Sequence, residues 1–456
     1  MSIKNKIAQY KAYKRGVLHT TFDPDGPGVV RMHLVPPKFR LIGNPSYILI
    51  LNGYYLLPVG YSWAIMLGAF IDELNRYDGK QVTDKDIEII INNTLTHTSR
   101  VYPCVRREYV REDLEWMLEV LFAIARGGKP DAEIERMSVR AYSHNMSAPH
   151  RMDLMISAMT DKDGRWNCNQ HCSFCYAAGQ PLSSSRELST DEWKCAIDRL
   201  REAGVPMITF TGGEPTVRAD LCELVAYAKW HVTRLNTNGI NMTDELCASL
   251  KEASLDSVQF TFYSSDEEVH NALVGGEHYK DTLRGIRAAV AAGLDVSVNT
   301  PLSKKNADYL PTLELVHSLG VRFVTLSGLI CTGRAEGKCD SSDLTEEELY
   351  SIVKEAKEFC DAHSMEMDFT SPGLISKEKL ESLSLNVPTC GAALSNMAIS
   401  PDGRVIPCQS WLKDGAALGN ILTDRFSDIW NNKKCKALRS INDAQALTCP
   451  FREEAR

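Results

Sequence analysis

The chain has 456 residues, of which 44% are hydrophobic and 24% are charged, and its formal net charge is −8 at pH 7. This length predicts two or three domains, and this composition is typical of a folded protein. The negative net charge disfavours general nucleic-acid binding through phosphate contacts. No signal peptide is readable and no apolar stretch reaches the ~18–20 residues that span a bilayer, so we expect a cytoplasmic protein with no membrane partner.

Residues 1–150 read as an N-terminal α+β domain. Apolar runs at 40–42, Tyr47–Leu51 and 54–57, the last two separated by Asn52-Gly53, indicate short strands that include a hairpin. Helical patterns follow at 62–75, 84–93 and 108–125. The glycine-rich segment 126–130 predicts a break after the last helix.

Residues 151–335 alternate regularly between strands and helices. The predicted strands are 152–159, 207–211, 232–236, 257–262, 296–299 and 323–326, with helices at 191–203, 221–229, 244–253, 281–292 and 309–319 between them. Such alternation predicts a parallel sheet of right-handed βα units. Because six units are too few for a closed eight-unit barrel, we expect an open, partial (βα)6 barrel.

Residues 336–456 form a third region, in which the alternation stops. A charged helix at 344–362 begins with Thr345 and Glu348 in capping-box spacing. A tail with several cysteines follows, and its Pro401-Asp402-Gly403 sequence indicates a turn.

Three cysteines lie within eight residues after the first strand of the predicted barrel. Cys168, Cys172 and Cys175 belong to a chain with 14 cysteines, which points to metal or redox chemistry where disulfides are reduced. Three thiolates can wrap one face of an iron–sulfur cluster and leave one iron free for another ligand. A zinc site completed by His171 or a distant cysteine is the alternative, and the spacing favours the cluster.

The Cys-x3-Cys-x2-Cys loop after the first strand of a six-unit βα fold resembles the radical S-adenosylmethionine (SAM) superfamily. An aromatic residue, Tyr176, follows the last cysteine, as is common in that family. The resemblance implies a [4Fe–4S] cluster whose free iron binds SAM. Reduction of that cluster by a donor such as flavodoxin or ferredoxin then cleaves SAM and yields a 5′-deoxyadenosyl radical that abstracts hydrogen.

A glycine-rich turn follows the second predicted strand of the barrel. Gly212, Gly213, Glu214 and Pro215 resemble the family's GGEP motif, which grips the amino group of SAM. Two glycines let the backbone approach a ligand, and a glutamate can accept a hydrogen bond from an ammonium. Taken alone, this turn could equally be an ordinary tight βα connection. The three-cysteine motif and the glycine-rich turn together are much more specific for the radical SAM superfamily.

Further SAM contacts are suggested by residues at the ends of other strands. The resemblance implies Asn238, in a Thr-Asn-Gly stretch, together with Ser297, Asn299 and the segment 325–328. The segment 261–264 departs from the pattern of many relatives, so its polar contact is open. Ordinary strand-end polar residues are the alternative for all of these positions, and no acid–base residue stands out.

The tail cysteines resemble the SPASM/twitch extension of the same superfamily. Cys390, Gly403 and Cys408 fit the spacing Cys-x9-15-Gly-x4-Cys, which in that family begins an auxiliary iron–sulfur site. Position 452, where a further Cys-x2-Cys would close, is Arg452. We therefore expect at most one auxiliary [4Fe–4S] cluster, held by Cys390, Cys408 and Cys449. Cys331, Cys339 or Cys435 is the candidate fourth ligand, or one iron stays open and contacts the substrate. Buried free thiols without a cluster are the alternative.

The order of strands and helices in the first domain resembles the small, winged-helix-like peptide-recognition domain of maturases of ribosomally made peptides. The resemblance implies that this domain captures a leader peptide by adding it as a strand to an exposed sheet edge. The leading hypothesis is thus a radical SAM enzyme that forms a cross-link, a thioether or an epimerised centre in a peptide substrate. A radical SAM dehydrogenase or cofactor-biosynthesis enzyme acting on a small-molecule substrate is the second hypothesis. A helical cap or dimerisation domain is the alternative for residues 1–150, and a non-catalytic zinc or redox regulator is a third function.

Overall fold

The computed structural model describes residues 11, 15–22, 30–38, 46–53, 55–77, 80, 82–125, 137–161, 163–339, 343–441 and 443–450. The chain divides into two compact units. The first unit contains Met1–His150, Leu200–Pro206 and Trp230–Val232, and the second contains the remainder of the chain. The second unit therefore includes both the predicted barrel and the predicted C-terminal extension.

The first unit contains a four-stranded antiparallel sheet in the order β1-β2-β3-β4. The strands are β1 (Leu18–Phe22), β2 (Val30–Val35), β3 (Tyr47–Leu51) and β4 (Tyr55–Val59). The predicted hairpin is confirmed, because β3 pairs with β4 and the turn residues Asn52 and Gly53 both have positive φ angles. The sequence did not predict β1 and β2, and the apolar run at 40–42 lies outside the described residues.

Three helices follow the sheet, as the sequence predicted: α1 (Tyr61–Leu74), α2 (Asp84–Val101) and α3 (Arg107–Ala125). The middle helix begins at a capping box between Thr83 and Asp86 and runs eight residues beyond its predicted end. Side chains of all three helices share one hydrophobic core with the sheet, including Leu49, Leu67, Leu95 and Leu114. The first unit thus has a core of its own.

The second unit contains an open ten-stranded sheet, and six of its strands form the predicted partial barrel. These six are β5 (Arg151–Ser157), β6 (Met207–Gly212), β7 (Val232–Thr237), β8 (Ser257–Thr261), β9 (Asp295–Pro301) and β10 (Phe323–Ser327). They lie next to one another in chain order, and β5 pairs parallel with β6, β7 with β8, β8 with β9 and β9 with β10. The predicted fold class, an α/β partial barrel, is confirmed.

Helices connect these strands, and all but one of them lie in the predicted places. They are α4 (Thr190–Ala203), α5 (Leu221–Tyr227), α6 (Asp244–Glu252), α7 (Glu267–Val274), α8 (Tyr279–Ala291) and α9 (Leu310–Ser318). The sequence did not predict α7, which is only eight residues long and is terminated by Gly275 in the left-handed conformation.

The C-terminal region extends the same sheet at both ends. The predicted capped helix is α10 (Glu346–Ala362), and the strand after it, β11 (Glu366–Phe369), pairs parallel with β10. After α11 (Lys377–Ser382), β12 (Asn396–Ile399) pairs parallel with β5 and antiparallel with β13 (Arg404–Ile406). The predicted hairpin at Pro401-Asp402-Gly403 is therefore confirmed.

The remaining elements are β14 (Gly419–Asn420), α12 (Phe426–Asn431), α13 (Lys433–Arg439) and α14 (Asp443–Ala446). Among the described residues, no helix is both long and apolar enough to cross a membrane.

Candidate functional site

The three-cysteine loop lies directly after β5, at the carboxyl end of a barrel strand, where ligands bind in such folds. Cys168, Cys172 and Cys175 are all partly buried. Burial, with smaller contributions from the charges of Glu214 and Cys175, raises the pKa of Cys168 to about 12. Burial also raises the pKa of Cys172, with added repulsion from Cys175 and Cys168. The three thiols are therefore near enough for their charges to interact, and metal binding must displace their protons.

Helix α7 supports this loop from one side. The backbone N–H of His171 donates to the Val274 carbonyl at 2.9 Å, and that of Ser173 donates to the Leu273 carbonyl at 2.8 Å. A side chain on Gly275 would place its Cβ 2.6 Å from the His171 carbonyl oxygen. The unpredicted helix and its terminal glycine thus fix the backbone on both sides of Cys172.

Arg334, which the sequence analysis missed, holds the loop from another side. Its backbone N–H donates to the Cys175 carbonyl at 2.9 Å, and its guanidinium donates to the Cys172 carbonyl at 3.3 Å. The same guanidinium lies over the Trp166 ring, 4.3 Å from the centroid. A cation in this position favours the negative charge that three thiolates bring. Arg334 was missed in the sequence analysis because it lies far along the chain from the loop that it contacts.

The loop does not form a compact zinc site. Ligand atoms around one tetrahedral thiolate-bound zinc ion lie within ~4 Å of one another. Among the described residues, one group of at least three potential ligands has all its ligand atoms within 4.8 Å of one another. This group is Cys331, Cys339 and Asp343, and it contains no cysteine of the loop. His171, the ligand proposed for the zinc alternative, packs against Trp166 with ring centroids 4.6 Å apart. Wider thiol spacing suits a cubane cluster better than a single ion.

The glycine-rich turn at the end of β6 contacts the cysteine loop. A Cβ on Gly212, whose φ is +141°, would lie 2.4 Å from the Ser157 carbonyl oxygen. A Cβ on Gly213 would lie 3.4 Å from the Cβ of Cys168. Close approach and a positive φ thus require glycine at position 212, whereas a side chain at position 213 would only crowd its neighbours. Pro215 begins the 3-10 turn that follows them.

Glu214 is buried, with 2% of its surface exposed, and it accepts four hydrogen bonds. The donors are the N–H and Oγ1 of Thr216 (3.0 and 2.6 Å), Thr237 Oγ1 (2.7 Å) and the Asn238 N–H (2.8 Å). Burial raises the pKa of this carboxyl, whereas these four hydrogen bonds lower it. The carboxylate is therefore held in one orientation beside the cysteine loop.

Asn238 connects the end of β7 to the cysteine loop. Its Nδ2 donates to Asn169 Oδ1 at 2.6 Å, and Asn169 lies directly after Cys168. The predicted residue thus lies beside both the loop and Glu214, and its contact with SAM stays a prediction.

Ser297 and Asn299 lie two residues apart on β9 and so share one face of the sheet. Thr325 Oγ1 donates to Asn299 Oδ1 at 2.8 Å and accepts from Gln259 Nε2 at 3.2 Å. Ser297 Oγ lies 3.4 Å from a guanidinium nitrogen of Arg234. The predicted residues therefore belong to a polar network across four barrel strands, and their contact with SAM stays a prediction.

Tyr176 lies between the two sets of cysteines. Burial raises the pKa of its phenol, and the charges of Cys175, Asp153 and Cys408 add to that effect. Thr211, next to the glycine-rich turn, is its hydrogen-bond partner. The residue is thus near both predicted cluster sites, whereas its role as a SAM contact remains a prediction.

Two aromatic residues next to the loop were not recognised from the sequence. Phe174 and Tyr263 pack with Cys172 and with Leu273 and Val274 of α7. Burial raises the pKa of Tyr263, with further contributions from Cys172 and Cys175. Tyr263 belongs to the segment after β8 that departs from the family pattern, and Phe174 could have been noticed inside the motif itself.

The tail cysteines influence one another in the structure. Burial, with smaller contributions from the charges of Cys390, Cys449 and Asp153, raises the pKa of Cys408 to about 12. The Cys390 N–H also donates to the Ala446 carbonyl at 2.6 Å, which ties the segment before β12 to the one that carries Cys449. That these three cysteines hold one auxiliary cluster stays a prediction.

The candidate fourth ligands have other partners. Cys331 and Cys339 form a disulfide with each other. The Cys435 thiol is buried and accepts a hydrogen bond from Arg439 at 3.2 Å. Arg452 lies outside the described residues.

The interior around these residues is suited to a polar cofactor. Buried polar atoms without a hydrogen-bond partner include Ser157 Oγ and Asn169 Nδ2 beside the loop, and Thr209 Oγ1 and Asn236 Oδ1 on β6 and β7. Buried polar groups are normally satisfied, so this concentration indicates groups that await a ligand. SAM consists of a nucleoside joined to an amino acid, and it offers hydrogen-bond donors and acceptors for these buried polar atoms.

Comparison with known proteins supports this assignment. Residues 167–316 match the family model of the radical SAM superfamily, and residues 390–450 match that of the SPASM iron–sulfur cluster-binding domain. The chain is 28% identical over 286 residues to the AdoMet-dependent heme synthase of Oleidesulfovibrio alaskensis, covering 59% of this chain and 73% of that protein. It is also 28% identical over 310 residues to the Fe-coproporphyrin III synthase of Methanosarcina barkeri, covering 62% and 76%.

Among solved structures, SuiB of Streptococcus suis bound to its precursor peptide SuiA has a similar fold. The TM-score is 0.60 at 12% identity, and the match covers 90% of this chain and 94% of SuiB. The chain is thus a radical SAM enzyme with a C-terminal SPASM extension. A [4Fe–4S] cluster and SAM are its cofactors, and the extension is of the type that holds auxiliary iron–sulfur clusters.

Proposed function

We propose that this enzyme is a maturase that forms a cross-link, a thioether or an epimerised centre in a peptide. The observation that carries the proposal is the apolar surface of the first unit. Eight large hydrophobic side chains are exposed among the described residues, and six of them lie on α2, α3 or their connection. These six are Ile87, Ile89, Val101, Val105, Tyr109 and Trp116, with exposed fractions between 40% and 55%.

Aromatic residues make this surface suitable for a peptide. Trp116 is 46% exposed and packs against Trp63 of α1 with ring centroids 5.5 Å apart. Tyr109, one of the most exposed side chains of the set, has the Arg106 guanidinium 6.0 Å from its ring centroid. Tyr109 and Trp116 lie seven residues apart on α3 and so share one face of this helix. Exposed aromatic side chains on one face provide anchors for the side chains of a bound peptide.

The sheet edge formed by β4 is less suitable for peptide binding by strand addition. The outward-facing Leu56 carbonyl accepts a hydrogen bond from the Met137 N–H at 2.9 Å. Pro58, the next residue with the same orientation, has no N–H to donate. We therefore assign leader-peptide recognition to the helical surface rather than to this edge.

Residues of the second unit perform the chemistry in this proposal. When bound, the cluster and SAM supply a radical that abstracts hydrogen from the substrate, and a flavodoxin or ferredoxin supplies the electron. Cys168, Cys172 and Cys175 hold the cluster, while Glu214 and Asn238 orient the amino acid part of SAM. Cys390, Cys408 and Cys449 hold the auxiliary cluster, and Tyr176 lies between the two sites.

A small-molecule substrate is the second candidate. It is supported by the names of the relatives, which are heme and Fe-coproporphyrin III synthases, although their matches cover only 59–62% of this chain. The fold similarity to SuiB instead extends over 90% of the chain.

The test is an anaerobic assay with SAM, a low-potential reductant and one of two substrates. The first is a set of short peptides encoded beside the gene, and the second is Fe-coproporphyrin III. A peptide mass change or an epimerised residue, formed together with 5′-deoxyadenosine, would support the maturase. This product should also decrease in Trp116→Ala, while SAM cleavage without peptide should not. Conversion of the porphyrin with no modified peptide would establish the second candidate instead.

A further inference from the structure

A second group of potential metal ligands lies outside both cluster sites. The Sγ atoms of Cys331 and Cys339 and a carboxylate oxygen of Asp343 all lie within 4.8 Å of one another. No other set of three or more such ligands is this compact among the described residues. The residues follow β10 and belong to neither segment that matches a family model.

Local structure explains why these ligands converge. The Asp343 N–H donates to the Cys339 carbonyl at 2.7 Å, which holds these two residues beside each other. The bond between Cys331 and Cys339 places their two sulfur atoms together. Leu329, Ala335 and Phe174 pack around the two cysteines, so the site has an apolar wall on one side. Cys331 and Asp343 are partly exposed, which leaves solvent access.

The two cysteines form a disulfide in this structure, and they can bind metal only as thiolates. Reduction by a dithiol breaks the S–S bond, consumes two electrons and two protons, and gives two thiols and the oxidised dithiol. A radical SAM enzyme works with a cluster kept reduced by a low-potential donor. Under such conditions the dithiol is the expected form of this pair.

We propose that Cys331, Cys339 and Asp343 of the reduced enzyme bind one Zn²⁺ ion. The two thiols release their protons as they bind, and water fills the fourth position of the tetrahedron. Thiolates are soft ligands, which favours zinc over the hard cations Mg²⁺ and Ca²⁺. This site is separate from the iron–sulfur chemistry and does not depend on the substrate class.

The proposed zinc ion would hold both ends of the segment that grips the SAM-cluster loop. Directly after Cys331, Thr332 Oγ1 donates to the Tyr176 carbonyl at 3.2 Å. Arg334 donates to the Cys175 and Cys172 carbonyls, as described above. A Cβ on Gly333 would lie 2.5 Å from both the Cys175 and the Tyr176 carbonyl oxygens, so this approach is very close. The zinc ligands thus have a positioning role for the loop rather than a catalytic one.

The experiment uses the full chain with its clusters assembled, reduced with dithiothreitol and dialysed against Zn²⁺ under anaerobic conditions. We expect about one zinc ion per chain and a zinc X-ray absorption spectrum with two sulfur ligands at about 2.3 Å. Cys331→Ser and Cys339→Ser should lose this zinc, and Asp343→Asn should release it to a chelator that the parent resists. Cys195→Ser, which alters an exposed free thiol of the same unit, is the control and should keep it.

Three outcomes would overturn the proposal. The first is a reduced parent that takes up no zinc. The second is zinc retained in both cysteine variants, since the ion would then be bound by the cluster cysteines. The third is peptide mapping that finds the Cys331–Cys339 disulfide intact after reduction. Because the Asp343→Asn variant retains both cysteines, it keeps the test informative if a serine variant fails to fold.

Discussion

The two sets of three cysteines in the second unit are assembled in different ways. Cys168, Cys172 and Cys175 lie within eight residues of one loop, whereas the tail cysteines are spread over residues 390–449. The loop brings its own thiols together and relies on distant residues to fix its backbone. The tail cysteines instead depend on the fold. Strands β12 and β13 pair with each other, and a hydrogen bond from the Cys390 N–H to the Ala446 carbonyl links the two ends of the tail.

This difference shows which contacts each site depends on. The loop has α7 behind it, Arg334 across it and the buried Glu214 beside it, so its surroundings are prepared for a charged ligand as well as for a metal cluster. The buried neighbour of the tail site is Asp153, and Tyr176 lies between the two sites. We infer that the loop serves SAM chemistry and that the tail serves the substrate or electron transfer.

The largest effect is expected from replacing Cys168, Cys172 and Cys175 together with alanine. Iron should fall from about eight to about four atoms per chain, because one of two cubane clusters is lost. SAM cleavage should be abolished, as measured by 5′-deoxyadenosine formation. Cys104→Ala, which changes an exposed thiol of the first unit, is the control. SAM cleavage that survives in the triple variant would show that the loop is not the catalytic site.

Glu214→Gln tests whether the loop region binds SAM as well as the cluster. The change replaces a carboxylate that accepts four hydrogen bonds with an amide that has one oxygen acceptor. A hydrogen bond to a charged group contributes ~1.5–3 kcal/mol, so SAM affinity should fall about 10–100-fold. Equilibrium dialysis with the cluster intact measures this loss.

Thr237→Val is the matched control for Glu214→Gln, because it removes only one of the donors to the carboxylate. It should weaken SAM binding less than the glutamine variant does. Equal losses in both variants would mean that the fold of the turn, rather than the charge of Glu214, determines SAM affinity.

Cys408→Ala should separate the tail from the loop. Iron should again fall from about eight to about four atoms per chain, but SAM cleavage without substrate should stay within about threefold of the parent. Formation of the modified product should decrease, since the auxiliary site is needed only for that step. Loss of SAM cleavage in this variant would falsify the division of roles between the two cysteine sets.

The barrel and the loop could be predicted from the sequence because their signals are local. Strands such as Met207–Gly212 are short apolar runs that alternate with helices, and Cys168, Cys172 and Cys175 form one continuous motif. The strand Leu18–Phe22 was missed because its sequence, LHTTF, is mostly polar and gains its place only by pairing with β2. Pairing with β2, rather than a local sequence pattern, made it a strand.

Contacts between distant segments could not be predicted. Arg334 acts on a loop more than 150 residues before it, and nothing around it in the sequence indicates a bond to the Cys172 carbonyl. The sequence shows that Cys331 and Cys339 are present but not where their thiols lie, so it suggests them as cluster ligands. In the structure the two cysteines form a disulfide with each other. The convergence of Cys390 with Cys408 was predictable, since the turn at Pro401-Asp402-Gly403 is itself a local signal.

The smallest effect is expected from Gly403→Ala in the turn between β12 and β13. Gly403 has a φ of +87°, and a Cβ there would lie 3.2 Å from Asn420 Oδ1 and 3.4 Å from Leu188 Cδ1. The positive φ alone costs alanine about 1 kcal/mol in the free energy of unfolding. Gly415→Ala is the matched control, because its φ is +72° and nothing lies within 4 Å of the added Cβ. If the tail site depends on this turn, only Gly403→Ala should also speed the loss of auxiliary iron to a chelator, with SAM cleavage unchanged. Equal iron loss in both variants would mean that the hairpin is not what holds Cys390 beside Cys408.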